Sequence, residues 1–285
     1  DNIVVDLLAY EDGELNLEVE KKSVQLEEVI IQGEVAPDLS TSRIGQVEIS
    51  VKDFKRAPAF LGEADLVKHV QNLPGVTTAG EAASGYNVRG GSVDQNLILY
   101  DGLPVFNSSH VFGFFSAFNA EAVRDASFYK GGIPAEYGGR ASSVLDIKSK
   151  DGSFEKWGGK AGIGMITSNV AIDGPIEADR TSVAASFRST YSNWLAHSIR
   201  TDYADLRKSD VSFYDATLKV THLQSDRTRI SVTGYSSNDS FSLAGDSTYR
   251  WRNFQASGKV NHQYHSNLAA EFVGGLSQYG YSVTN

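Results

Sequence analysis

No stretch of this chain approaches the roughly 18 consecutive apolar residues of a membrane-spanning helix, yet residues 154–285 are written largely in a two-residue period. Val183, Ala185 and Phe187 alternate with Ser186, Arg188 and Thr190. Tyr214, Ala216, Leu218 and Val220 alternate with Asp215, Thr217, Lys219 and Thr221. The pattern recurs in Phe254, Ala256 and Val260 against Gln255, Ser257, Lys259 and Asn261. It returns in Leu268, Ala270, Phe272 and Leu276 against Glu271 and Ser277. All six prolines lie at or before Pro175. Segments of about ten residues, joined by polar turns such as Gln224-Ser225-Asp226-Arg227, specify antiparallel strands with one apolar and one polar face.

Two architectures accept such strands: a soluble sandwich with one solvated face, and a closed transmembrane barrel with lipid outside and a wet lumen. The segments are longer than the usual five or six residues. Aromatics recur near their ends, at Trp157, Tyr191, Trp194, Tyr214, Tyr235, Trp251, Tyr279 and Tyr281, as in an interfacial girdle. Both features favour the barrel. About six strands are expected, fewer than the eight of the smallest known barrels, so residues 152–285 read as the first strands of a truncated barrel. An eight-stranded barrel admits only side chains, and a preceding domain of about 110 residues calls for a far wider one.

That preceding domain, residues 36–151, is glycine-rich and mixed in pattern, an α+β signature. A helix is predicted over residues 63–73, with Leu66, Val70 and Leu73 on one face and Pro74-Gly75 as its stop. Residues 96–100 and 143–147 read as compact strands, residues 120–124 as a second short helix, and residues 80–85, 104–113 and 131–139 as loops. Upstream, residues 1–25 read as the tail of an N-terminal β-domain, with strands at 2–8 and 14–20 around the turn Glu11-Asp12-Gly13.

The net charge of −9 resides in residues 1–50, which carry 12 acids against 3 bases, leaving the rest balanced. An acidic head on a neutral body lacks the basic footprint of nucleic-acid binding. The absence of cysteine excludes disulfides, thiolate metal sites and cysteine nucleophiles. No zinc-hydrolase helix, nucleophile elbow or phosphate-binding loop is present. His262 and His265 are three apart in an expected turn without a third ligand nearby, so neither a metal nor a cofactor is expected.

Residues 26–151 carry an ordered set of motifs. They are Leu26-Glu27-Glu28-Val29-Ile30-Ile31-Gln32-Gly33, then Leu73-Pro74-Gly75-Val76, then Tyr86-Asn87-Val88-Arg89-Gly90-Gly91. Ile98-Leu99-Tyr100-Asp101-Gly102-Leu103-Pro104 follows, and the run from Phe128 through Gly138-Gly139-Arg140 closes the set. Together these resemble the plug region of TonB-dependent outer-membrane receptors of the Bacteroidetes type. The resemblance implies an α+β plug domain followed by antiparallel transmembrane strands of a 22-stranded β-barrel. It implies plug-gated active import of a scarce ligand (an iron chelate, peptide, vitamin or saccharide) across the bacterial outer membrane. The expected partners are TonB with its inner-membrane energising complex, outer-membrane lipid and a small ligand, with the N-terminus periplasmic. The segment Leu97-Ile98-Leu99-Tyr100-Asp101-Gly102 departs from the Tyr-Val-Ile-Asp-Gly pattern of the glycan-importing subgroup, which leaves a lid or N-terminal partner open. The alternative function is an outer-membrane structural or secretion-machinery subunit on the same scaffold.

Site expectations follow. Residues 26–35, and within them Leu26, Glu27, Glu28, Val29, Ile30, Ile31, Gln32 and Gly33, are the expected TonB contact, an extended segment able to add to a sheet edge. Arg89, Gly90, Gly91, Asp101, Gly138, Gly139 and Arg140 are expected to hold the plug. The arginines would either clamp a wall carboxylate or pair within the plug with Asp101, Glu121 or Glu136. His110 and Phe112 are expected to face ligand or lumen, and Phe114 and Phe115 to pack as core.

Overall fold

The computed structural model describes residues 45–56, 63–78, 85–191, 209–242 and 247–284. The readings made for residues 1–44, including the whole TonB-contact segment, and for Trp194 lie outside these. Among the described residues no helix is long and apolar enough to cross a membrane.

The first domain is built on a five-stranded sheet. Its strands are β1 (Gln46–Ser50), β4 (Asn96–Tyr100), β5 (Leu103–Pro104), β8 (Val123–Tyr129) and β9 (Ser143–Ser149). The spatial order is β1-β8-β9-β4-β5, with β4 and β9 parallel and the other neighbours antiparallel. Two helices, α1 (Val51–Arg56) and α2 (Leu66–Gln71), supply Phe54, Leu66 and Val70 to a core shared with Ile49, Tyr100, Phe118, Phe128, Leu145 and Ile147. Helix α2 starts later than its apolar period suggested, because Asp65 caps it by accepting the Lys68 N–H at 2.9 Å. Short pairs β2 (Val76–Thr78) with β3 (Tyr86–Val88), and β6 (Ser109–His110) with β7 (Phe115–Ser116), complete the domain.

The second predicted helix is absent. Asn119 accepts the Glu121 N–H through its side chain at 3.0 Å and the Ala122 N–H through its backbone at 2.9 Å, forming a turn that leads directly into β8. A local Asn-to-backbone bond of this kind competes with helix formation.

Seven strands follow as an antiparallel meander in chain order. They are β10 (Gly158–Ile163), β11 (Thr167–Glu177), β12 (Thr181–Thr190), β13 (Asp210–Ser225), β14 (Thr228–Ser242), β15 (Thr248–His265) and β16 (Leu268–Thr284). The last four run for 15 to 18 residues, beyond the expected length, because pairing continues where both faces turn polar. His262 and His265 therefore lie in β15 rather than in a turn, and His262 shares a 2.8 Å bond with Thr228. Among the described residues no group of three or more His, Asp or Glu is arranged to hold a metal.

The meander is inverted relative to a soluble sheet. On β13, Asp215, Thr217, Lys219 and Thr221 are buried, whereas Leu218 is 52% exposed. Val170, Ile172, Phe187, Val232 and Phe254 share that exposed face. The polar face is covered by the α+β domain. The connections are asymmetric too. Residues 178–180, 226–227 and 266–267 make short turns at one end; at the other, residues 164–166 are as short, whereas 19 residues separate β12 from β13 and five separate β14 from β15.

The aromatic girdle needs correction. Trp157, Tyr191 and Tyr214 are exposed, but Tyr235 is buried and donates its hydroxyl to the Ala117 carbonyl at 2.8 Å. Trp251 stands in register with Asp239 and Tyr281, and Tyr279 with Asn253, on the inward face. Alternation alone does not say which aromatics face outward.

Candidate functional site

The buried polar groups of the wall meet the first domain along a seam with two charged centres. The first is organised by Arg188, 3% exposed on the inward face of β12 near its C-terminal end. Its Nε donates to Asp215 at 2.7 Å, Nη1 to Glu63 at 2.8 Å and Nη2 to the Ser116 carbonyl at 2.6 Å. One guanidinium thus ties a wall carboxylate, an inner-domain carboxylate and an inner-domain carbonyl, using the donor fork that only arginine presents. Beside it, His110 is completely buried, stacked on Phe213 with ring centroids 4.3 Å apart. Its Nδ1 lies 2.8 Å from Asp239, and its Nε2 faces Asp215 at 3.4 Å. Burial opposes charge on the ring, but the carboxylates of Asp239 and Asp215 outweigh it and hold the His110 pKa above the ordinary histidine value.

The second centre lies nearer the short-turn end. Asp101 and Gly102 form the two-residue loop of the β4–β5 hairpin, with φ of 47° and 86°. Asp-Gly suits a loop needing two positive φ values. The turn presses on the wall so closely that a Cβ on Gly102 would meet Val273 Cγ1 at 2.9 Å. Asp101 accepts the Ser149 N–H at 2.9 Å and the Thr233 hydroxyl at 2.7 Å, with Lys219 Nζ 3.9 Å away. Lys219 also donates to the Ser149 carbonyl at 3.1 Å and pairs with Asp151 at 3.1 Å. Asp151 further meets Arg229 at 2.5 Å, Arg124 at 3.3 Å and the Thr221 hydroxyl at 2.9 Å. Burial would raise its pKa, but Lys219 and Arg229 hold the carboxyl below the ordinary range. A cavity of about 100 Å³ adjoins this centre, with Lys148, Lys259 and Glu271 in its lining.

The sequence-derived residues divide accordingly. Asp101 is at the seam. Arg89 and Arg140 are exposed and pair with neither Asp101 nor Glu121; Arg140 donates to the Gly139 carbonyl at 3.2 Å, and Glu121 is taken by Lys55 and Lys160. Gly90 and Gly139 take φ of 83° with open space where a Cβ would stand, as does Gly138, whereas a Cβ on Gly91 would strike Ser142. His110 does not face open lumen, because its ring is fully enclosed between the domains. The Phe112 side chain lies outside the described atoms. Phe115 is buried as expected, but Phe114 is 37% exposed.

Sequence reasoning missed the principal wall residues: Arg188, Asp215, Lys219 and Asp239. Their signal was available, since a charge within a long alternating strand of this type belongs on the lumen side.

With this geometry in view, residues 45–144 match the TonB-dependent Receptor Plug Domain family. Residues 45–144 are a TonB-dependent receptor plug domain. The strands after this plug match the barrels of solved receptors in fold. The siderophore receptor PirA from Pseudomonas aeruginosa superposes with a TM-score of 0.62 at 18% identity, covering 84% of this chain and 41% of that one. PirA from Acinetobacter baumannii gives 0.62 at 17% identity, over 84% and 40%. The outer membrane transporter YddB from Escherichia coli gives 0.60 at 14% identity, over 81% and 38%. The chain thus spans about two-fifths of the length of these receptors. No curated protein matches it. These likenesses do not extend to the Bacteroidetes subtype. What the plug and wall share is a seam in which buried wall cations grip plug carboxylates and buried wall carboxylates grip a plug histidine.

Proposed function

We propose that this chain is the gate and first wall strands of a TonB-dependent importer, which moves a scarce ligand across the bacterial outer membrane. The observation that carries this reading is the burial of the wall's charged inner face beneath the plug. A polar lumen whose lining is satisfied by a removable domain is a closed pore, not a structural strut. The short turns at 178–180, 226–227 and 266–267 support assigning that end to the periplasm, since outer-membrane barrels have short periplasmic turns and longer extracellular loops and the opposite end has only the 164–166 turn of that length. The His110 centre then lies toward the cell exterior and the Asp151 centre toward the periplasm.

Beside the plug, the lumen face carries an aromatic row that suits ligand contact better than His110 does. Trp251 lies 5.7 Å from Tyr281 and 6.2 Å from Tyr249, and plug residue Phe106, 58% exposed, lies 6.3 Å from Tyr279. Such faces with a few polar neighbours suit a concave site for an iron chelate, peptide, vitamin or saccharide. Arg89 and Arg140 lie on plug surface that the seven strands leave open, available to clamp further wall carboxylates. Leu26–Gly33 is the segment through which TonB and its inner-membrane complex would pull.

Ile30→Pro tests energised import. It removes a backbone donor from the added strand and nothing from the plug core. Ligand uptake by whole cells should be abolished while assembly and surface binding persist. Uptake at the wild-type level would remove TonB coupling through this segment.

A further inference from the structure

The arm formed by β6, residues 111–114 and β7 is fastened to the wall by an arrangement that depends on one proton. His110 Nδ1 is hydrogen-bonded to Asp239 on β14 at 2.8 Å, and its Nε2 stands 3.4 Å from Asp215 on β13 at ion-pair distance, without a hydrogen bond and with no exposure to solvent. If Nδ1 carries the only proton and donates to Asp239, the lone pair of Nε2 faces the Asp215 carboxylate. The other tautomer places a lone pair against Asp239. Either neutral form sets a lone pair against a buried carboxylate, and only the imidazolium presents a proton and positive charge to both. The remaining charges around the ring are Arg188 on β12, which shares Asp215, and plug residues Glu63, bound to Arg188, and Asp65, bound to the Ser116 N–H at 2.6 Å.

A second observation is independent of the ring. Val111, the next residue, has φ of 50°. That is a left-handed conformation unfavourable for a β-branched side chain. Its N–H is held by the other oxygen of Asp239 at 3.2 Å. The same carboxylate therefore holds both the charged ring and the strained backbone.

We infer that His110, Asp239 and Asp215 form a proton-dependent latch that holds the plug's outer arm against the wall when His110 is charged and releases it, relaxing Val111, when the ring is neutral. The inference rests on the gate reading above. Trp251 is the cross-strand partner of Asp239, so a solute against the aromatic row sits beside the latch carboxylate.

The sign is fixed by the raised pKa of His110 in the folded protein. The latch is fully engaged below the unfolded histidine value of about 6.5 and is lost as pH rises through the higher folded value. The test uses the full-length protein in detergent, with a single cysteine replacing buried Ser109 and, separately, exposed turn residue Ser266. Maleimide labelling of Ser109→Cys, divided by that of Ser266→Cys, removes the thiol's own pH dependence. The ratio should rise at least about fivefold between pH 6 and 9, the lower end of measured coupling energies. With His110→Gln the ratio should be independent of pH, and with Asp239→Asn it should be high throughout. Heat-modifiable gel migration verifies that each barrel is assembled. A flat wild-type ratio, or an equal rise in His110→Gln, overturns the latch. Neither result touches the gate reading, which is tested separately by pore conductance after plug removal.

Discussion

Arg188 has no route to water and three partners on two domains, so its removal strands charge rather than merely deleting a bond. Arg188→Met leaves Asp215 and Glu63 buried without their cation, and breaking a buried pair in this way costs about 3–5 kcal/mol. The variant should lose that much stability in urea unfolding of the reconstituted full-length protein, and Glu63→Gln should restore part of it. Wild-type stability in Arg188→Met would show that the contact contributes nothing to seating. Asp151 provides the opposite pH dependence to His110. Its folded pKa is depressed by Lys219 and Arg229 against the effect of burial. Its contribution is therefore present above about pH 3.9, the unfolded aspartate value, and is lost as pH falls through the lower folded value. Asp151→Asn should be less stable than wild type at pH 7, and the difference should shrink toward zero in strong acid. A difference that persists in acid would assign the effect to packing. These partners were not legible in the sequence. Arg188 and Glu63 are 125 positions apart, and alternation identifies a residue's face without naming what covers it.

At the scale of the element, the inverted strands yield a paired prediction. Leu218 and Thr217 are neighbours on β13, yet the first faces outward and the second lies buried beneath the plug. A cation on the lipid face near mid-membrane costs about 2–4 kcal/mol. Leu218→Arg should therefore reduce the heat-modifiable, folded band in outer membranes. Leu218→Val, which keeps the face apolar, should not. Normal assembly of Leu218→Arg would place that face away from lipid. The two-residue period made these strands readable from sequence, as Asn96–Tyr100 and the start of β9 were from their compact apolar runs. It failed where one signal served two purposes. Trp251 and Tyr281 read as girdle residues by position, but their register with Asp239 turns them inward. Residues 120–124 read as a short helix, but the Asn119 turn takes residues 120–122 and the pairing of Val123 with Ser149 starts β8.

For the whole molecule, the account makes the plug a removable cover over a polar lumen. A barrel of about 22 strands encloses a lumen that must be filled to be closed. On the proposed reading the α+β domain fills this role, held by charge pairs beside aromatic contacts of Tyr235 with Tyr100 and Phe118 and of Phe213 with Phe115. Charge pairs across the seam are compatible with movement in a way that a fused hydrophobic core is not, since displaced charges regain water. The most direct test deletes residues 36–151 from the full-length protein and measures single-channel conductance in planar bilayers beside the intact protein. The account predicts an assembled barrel with large, persistent conductance where the intact protein shows little. A deletion variant that assembles but conducts no more than the intact protein would contradict it.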